Sequence, residues 1–338
     1  MRKKSFLIFL MLVISGVLFY FVYKKIGVRE IWNSLLSFSP KGIIVTLVIM
    51  CLSHLIGILR WRMILKDRVK EVKFKNLITP WLVGFGFTFF APFSFIVSET
   101  MRAYSLKQKE KYISWKKSIT SVLIDKFFEG TTSFLVIFLG IISLIVYSLT
   151  IPFKVWLFFL FLLIPIGSIV FFYVNAFKSQ SMTKIFEKPL KKLLNHRVKN
   201  VFEIEKEIFD FFKIHNKNMR KAAALALLRQ VVDFFACWSI LIFMGTKLSI
   251  FQATSVIGFV YLSFYIIPVP VALGVLELIE ALTFSQLGLS PQIGVAFTLL
   301  YRSFFFIFAV LGIFLGFKSI IILFSKNISE VSKKENVP

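Results

Sequence analysis

Ten charged side chains stand inside or against long apolar stretches of this chain: Glu99, Arg102, Asp125, Lys126, Glu129, Arg229, Asp233, Glu277, Glu280 and Arg302. A charge at mid-membrane costs about 2.5–3.5 kcal/mol on insertion scales, so such residues turn inward, pair with one another, and mark routes for polar cargo or protons. Arg229 and Asp233 are spaced i, i+4 and can neutralise each other along one helix face, which serves a purely structural salt bridge as well as a substrate role. Lys126 can reach Glu129 in the same way. Glu277, Glu280 and Arg302 have no opposite charge at helical spacing and must find partners across helices. Two groups sit near the margins of their apolar runs. Asp125 to Glu129 are interfacial if their helix begins only at Gly130, and Glu99 with Arg102 can lie at a membrane edge.

The charges recur in a pattern with helix breakers. In "FFAPFSFIVSETMRAYSLKQKE", residues 89–110, Pro92 precedes Glu99 by seven positions, and in "YIIPVPVALGVLELIEALTFSQLGL", residues 265–289, Pro270 precedes Glu277 by seven. Each unit is an apolar run that breaks at proline (Pro92; Pro268 and Pro270, followed by Gly274) and resumes as a helix. That helix carries a glutamate and a second charge three residues on, Arg102 or Glu280. About 25 residues beyond each glutamate lies another buried charge, Asp125 in one case and Arg302 in the other. A broken helix frees backbone groups that lipid cannot satisfy, so the break must face protein or a wet cavity. Repeated broken helices meeting near the midplane are a sequence signature of transporter sites.

The elements that position these residues follow from composition. Of 338 residues 57% are hydrophobic and 43 are Phe, far outside soluble norms. Uncharged runs occupy 6–23, 43–59, 77–97, 130–151, 155–177, 234–246, 248–276 and 281–301, the last continued past Arg302 by 303–317. Runs of about 20 residues span the hydrocarbon core. The run 234–246 is long enough only if its helix starts near Ala222, which carries Arg229 and Asp233 into the membrane. The expected fold is therefore all-α: a polytopic membrane bundle of about eight membrane helices, with proline-broken or re-entrant elements and a weak internal repeat. The first run, after "MRKK", leads into "YFVYKK" rather than a small-residue cleavage site and is read as a retained anchor.

Cys51 and Cys237 each lie in an apolar run, so no disulfide framework is expected. The three histidines are scattered without zinc spacing. No Walker loop, GxGxxG or GxSxG occurs, so no cofactor or metal is expected. The net charge of +24 reflects basic loops between apolar runs, which points to membrane topology rather than nucleic acid.

Seven Lys and Arg fall in 60–76, six in 98–117 and twelve, against five acids, in 175–221. Basic loops stay cytoplasmic. All three share that side only if 77–97, with Pro80, Gly84, Gly86 and Pro92, enters and returns as a broken hairpin. Near the other end, 251–288 either dips in and returns or crosses twice. The aromatic-basic "RWRMILK", from Arg60 to Lys66, reads as an interfacial belt of snorkelling side chains. The chain divides into one transmembrane domain, 1–325, containing a basic cytoplasmic linker at 175–221, and a polar tail at 326–338. In the linker, Phe202, Ile204, Ile208, Phe211 and Phe212 fall at helical spacing among lysines, which suits either an amphipathic helix on the anionic leaflet or a solvated helical hairpin.

With "LRWRMILK", "APFSFIVSETMRAYSL", "SVLIDKFFEG" and "PVPVALGVLELIEALTFSQLGLSPQIGVAFTLLYR" in this order, the chain resembles the lysylphosphatidylglycerol synthetase transmembrane-region family of flippase-like membrane proteins. Glu277 and Arg302 match the late motif of that family, Glu99 and Arg102 the early one. Ser98 stands where relatives usually carry glycine, and Gly274 is one glycine where they often have more. The resemblance implies a multi-pass cell-membrane protein, N-terminus cytoplasmic, that binds a phospholipid or lipid-linked headgroup and moves it between leaflets. Arg102 and Arg302 would engage phosphate, and the carboxylates would bind a cationic moiety or carry a proton. The chain ends about twenty residues after its last apolar helix, without the aminoacyl-transfer domain of the bifunctional members, so lipid aminoacylation by this polypeptide is not expected. The alternative reading is a membrane-embedded transferase, or an accessory partner of a lipid-modifying or glycolipid-synthesising enzyme.

Overall fold

Hydrocarbon offers no partner to backbone N–H and C=O groups, so a chain this apolar must close its hydrogen bonds within helices. The computed structural model describes residues 20, 21, 24, 27–66, 69, 72–90, 94–147, 166–176, 178, 181, 198–213, 217–266 and 274–335. Among them all regular structure is helical: α1 Val28–Leu36, α2 Pro40–Lys66, α3 Phe74–Phe90, α4 Ser94–Lys109, α5 Trp115–Tyr147, α6 Ile166–Ala176, α7 Val198–Phe211, α8 Lys217–Phe243, α9 Ile250–Ile266, α10 Val275–Gln286 and α11 Pro291–Glu335. Four are long and apolar enough to cross a membrane: α2, α5, α8 and the Pro291–Phe317 part of α11. The chain is thus a polytopic membrane helical bundle. The early start of α8 at Lys217 makes the short run 234–246 adequate and brings Arg229 and Asp233 along with it.

The frame is an antiparallel pair, α2 against α8. Ser39 N–H donates to Phe243 O at 3.1 Å, the hydroxyls of Thr46 and Ser239 meet at 2.9 Å, and Ser53 hydrogen-bonds Asp233. At about 1.5 Å per residue each 27-residue helix spans about 40 Å, more than the hydrocarbon core requires.

Two helical hairpins hang from this frame. In the first, Asn76 Nδ2 donates to Glu110 Oε1 at 2.8 Å, Lys109 Nζ donates to Thr79 Oγ1 at 2.7 Å, and Gly84 lies against the Arg102 side chain. These pairs are placed evenly about residues 91–93, so α3 and α4 run antiparallel and both bases sit at one end of the bundle. Basic segments 60–76 and 98–117 are therefore on the same side, as their charge required. Helix α3 continues through Pro80, which is buried within it. In the second hairpin Gln252 Nε2 meets Leu287 O at 3.4 Å, and Val256 and Val260 share a core cluster with Leu276 and Phe284. The stretch 251–288 thus goes in and comes back, with both of its ends at one end of the bundle. Pro92, Pro268 and Pro270 fall in the connections 91–93 and 267–273, outside the described residues.

The first hairpin follows the Lys66 end of α2 and the second follows the Phe243 end of α8. Because α2 and α8 are antiparallel, the hairpins enter from opposite ends. Helix starts at 40 and 217, 74 and 250, and 115 and 291 are separated by 177, 176 and 176 residues. Each half is a long helix, a hairpin and a second long helix. The weak sequence repeat is an inverted structural repeat, the architecture of many secondary transporters. The halves are cross-packed, with α5 lying on α9 and α11 on α3. A Cβ on Gly140 would stand 2.7 Å from Gly258 Cα, and one on Gly312 would stand 1.9 Å from the Leu82 carbonyl oxygen, so both crossings need glycine for backbone contact.

Helix α7 lies in the basic linker. Its apolar residues Ile208, Phe209 and Phe211, with Phe212, pack with Phe128, Phe172, Ala222 and Ala226, and Lys116 holds Glu203 at 2.6 Å. Of the apolar face that the sequence offers to a leaflet, Ile208, Phe211 and Phe212 are buried against the bundle, while Phe202 and Ile204 stay half-buried. The polar residues 326–335 continue α11 as helix.

Candidate functional site

Between the two hairpins and the α2/α8 frame lies a cavity of about 500 Å³. Its wall includes Glu99 and Arg102 from α4, Lys126 and Glu129 from α5, Arg229 and Asp233 from α8, Arg302 from α11, and the aromatic rings of Trp81, Tyr261, Tyr265 and Tyr301. Of the residues singled out by sequence, Glu99, Arg102, Glu129, Arg229, Asp233 and Arg302 converge here. Asp125, Glu277 and Glu280 do not line the space; all three are fully buried behind it.

The charges of the first half and of α8 form one chain of alternating sign. Arg60 Nε donates to Asp125 Oδ1 at 2.7 Å, and Arg102 Nη1 donates to Asp125 Oδ2 at 2.8 Å. Arg102 also approaches Glu99 at 3.7 Å; Lys126 Nζ bridges Glu99 at 2.9 Å and Glu129 at 3.0 Å. Arg229 then stands 4.0 Å from Glu129 and 3.6 Å from Asp233. The Arg229–Asp233 pair expected along one helix is present, but it ends a relay across four helices. Removing one member of a buried pair costs about 3–5 kcal/mol because the survivor stays buried and uncompensated.

Arg102 occupies the most constrained position. Its guanidinium lies 4.0 Å from the Trp61 ring and 4.3 Å from the Trp81 ring, between the two indoles. Each desolvated cation–π contact is worth up to about 2 kcal/mol. Trp61 is fixed by donating to Ser121 Oγ at 3.2 Å, and Trp81 by donating to His54 Nδ1 at 3.1 Å. Trp81 also lies 5.3 Å from Arg229. The arginine is thus clamped on both faces and anchored by Nη1. Its buried Nε and Nη2 have no acceptor among the described residues.

In the second half, Gly274 adopts φ 77°, a left-handed conformation that favours glycine, and caps α10. Its N–H donates to Glu277 Oε2 at 2.8 Å, while Glu277 Oε1 accepts from Arg302 Nη1. Glu277 reaches back to its own helix N-terminus as in a capping box and holds Arg302 with its other oxygen. Its role in this geometry is to position Arg302, the residue that faces the cavity. Gly274 is the member of the expected break residues that can be located; it sets the angle at which α10 begins.

Sequence reasoning missed several parts. Arg60 and Trp61 are buried to 1% and 0% exposure. They belong to the site and not to an interfacial belt, because α2 continues to Lys66 and is covered there by the first hairpin. His54, Trp81, Tyr261 and Tyr301 carried no spacing signal. Lys126 stood out only as a partner for Glu129, whereas it also closes the link to Glu99.

No curated protein and no solved structure matches this chain. The family model described as the lysylphosphatidylglycerol synthase TM region matches residues 8–312, nearly the whole length. With its inverted hairpins, four apolar spans and charged interior, the chain belongs to that family of multi-pass membrane proteins, and its function concerns membrane lipid.

Proposed function

We propose that the cavity receives the phosphate-bearing headgroup of a phospholipid or lipid-linked substrate and passes it from one leaflet to the other while the chains stay in lipid. The observation that carries this reading is Arg102. A guanidinium on the cavity wall, held between two indoles and tied at one nitrogen with its other donors unpaired, keeps a positive charge where a phosphate would sit. Arg302, fixed by Glu277 on the opposite hairpin, supplies a second cation across the same space. Phe89 and Ile96, near the tip of the first hairpin, and Phe264 and Tyr265, near the tip of the second, line the cavity where it meets the bundle's apolar surface; Ile96 is 67% and Tyr265 47% exposed. That is where acyl chains would leave the cavity sideways. In this reading the base of the first hairpin and the N-terminus face the cytoplasm and the base of the second faces outside, an orientation that the basic loops support.

The test is leaflet exchange of fluorescent phospholipids in liposomes carrying the purified protein. Arg102→Gln and Arg302→Gln are each expected to slow exchange at least about tenfold, the loss of one charge-assisted contact of about 1.5–3 kcal/mol. Wild-type rates in the double variant would reject the site.

A further inference from the structure

Glu280 is the carboxylate that the site leaves over. Five cations, Arg60, Arg102, Lys126, Arg229 and Arg302, are in contact with five carboxylates, Glu99, Asp125, Glu129, Asp233 and Glu277. Glu280 is a sixth, at 0% exposure, and neither of its oxygens finds a hydrogen-bond partner among the described residues. Its surroundings explain why. Its helix α10 packs backbone to backbone on α11, where a Cβ on Gly294 would stand 2.7 Å from the Glu280 carbonyl oxygen, leaving no room for a cation from that side. Glu277, one turn earlier on α10, is turned to Arg302. From α8 the buried Cys237 thiol, and from α11 the Tyr301 hydroxyl, belong to the core cluster packed around α10. Among the described residues no charged side chain reaches its oxygens.

An ionised carboxylate cannot be sustained in such a place, since the interior repays its lost hydration with neither a cation nor a donor. A carboxylic acid can. The position is also the inverted-repeat counterpart of Arg102, because each lies three residues beyond the glutamate of its hairpin. One half of the molecule holds a fixed positive charge there and the other a group that can be charged or neutral.

We infer that Glu280 is a proton-binding site, occupied by a proton in this conformation. It is buried behind the cavity wall, on the helix whose Glu277 holds the cavity-lining Arg302, so the site stands beside the space where the headgroup would sit. On the proposed lipid-moving function, on which this second step rests, loss and regain of that proton couples headgroup passage to a proton gradient.

Infrared spectroscopy of the protein in bilayers reads the proton directly. A protonated-carboxyl C=O band is expected at neutral pH in the wild type and absent in Glu280→Gln. A wild type without the band, or a variant that keeps it, overturns the site. Should Glu280→Gln not fold, carbon-13 NMR of wild-type protein labelled at glutamate reads the same quantity, and the absence of any neutral carboxyl at pH 7 overturns it. The coupling is tested separately in the wild type: an imposed pH gradient should bias the leaflet distribution of labelled phosphatidylglycerol by up to about tenfold per pH unit for one proton per lipid. Exchange that ignores the gradient refutes coupling while leaving the lipid pathway standing. Absence of exchange refutes the pathway, and the infrared band then decides the proton site alone.

Discussion

Asp125→Asn tests whether the buried charge chain holds the first half together. Asp125 is fully buried on α5 and accepts Arg60 Nε at 2.7 Å and Arg102 Nη1 at 2.8 Å, one guanidinium on each oxygen. The amide keeps the shape and removes the charge, leaving two buried guanidinium groups facing a neutral partner that can accept on one side only. Two charge-assisted hydrogen bonds at about 1.5–3 kcal/mol each give about 3–6 kcal/mol, and the measured cost of breaking a buried ion pair, about 3–5 kcal/mol, overlaps that range. Unfolding of the purified protein in mild detergent, titrated with a denaturing detergent and followed by circular dichroism, should show a loss of about 3–5 kcal/mol. Arg60→Gln together with Asp125→Asn should cost less than the two single changes summed, with a coupling of about 1–3 kcal/mol, because the double variant no longer buries an unmatched Arg60. Asp125→Asn within 1 kcal/mol of wild type, or strict additivity in the double variant, would refute the claim that these residues form one energetic unit.

Three further outcomes follow from the same geometry. Gly258→Leu should prevent assembly of α9 on α5, since even a Cβ at the facing Gly140 would come within 2.7 Å of Gly258, and its yield of monodisperse protein in size-exclusion chromatography should collapse while the exposed control Ser285→Leu does not. Trp81→Leu removes a face from both Arg102 and Arg229 and the donor to His54; at about 0.5–2 kcal/mol per cation–π contact, binding of a phosphate-headed lipid measured by calorimetry should weaken about threefold to tenfold or more. Lys111→Cys and Ser290→Cys, in a chain with Cys51 and Cys237 changed to Ala, should react with an impermeant thiol reagent from opposite sides of sealed vesicles; reaction from the same side would overturn the inverted entry of the two hairpins.

What was legible in the sequence was what hydrocarbon penalises. Glu99, Arg102, Arg229, Asp233, Glu277 and Arg302 stood out because a charge in an apolar run demands an explanation. The prolines exposed the hairpins because a broken helix demands one too. Charge balance across loops required 77–97 to return, and it does. The illegible part is what packing decides. Arg60 and Trp61 look interfacial in a one-dimensional reading, and only the hairpin folding back over the end of α2 buries them. Trp81 and His54 belong to no motif: their function is to support Arg102, and that support passes between helices far apart in sequence. Glu280 carried the same signal as Glu277 three residues away, and about a sixth of a turn in azimuth decides which of them meets an arginine.

The inverted repeat also bears on how the chain enters the membrane during synthesis. A long helix, a hairpin and a second long helix form a unit that is indifferent to which way up it sits, so orientation must be written in the loops. In the first half the hairpin's bases are joined through Arg68, Lys70 and Lys73 on one side and Lys111, Lys116 and Lys117 on the other. The equivalent loops of the second half, 244–249 and 287–290, contain a single cation, Lys247. On the orientation proposed above, the same fold is inserted twice with opposite instructions, the lysines retaining one hairpin at the cytoplasmic face and their near absence letting the other cross. Lysines grafted at 287–290 would set the second half in conflict with the first, and the chain would have to abandon either its loop-charge rule or the cavity that the two hairpins enclose.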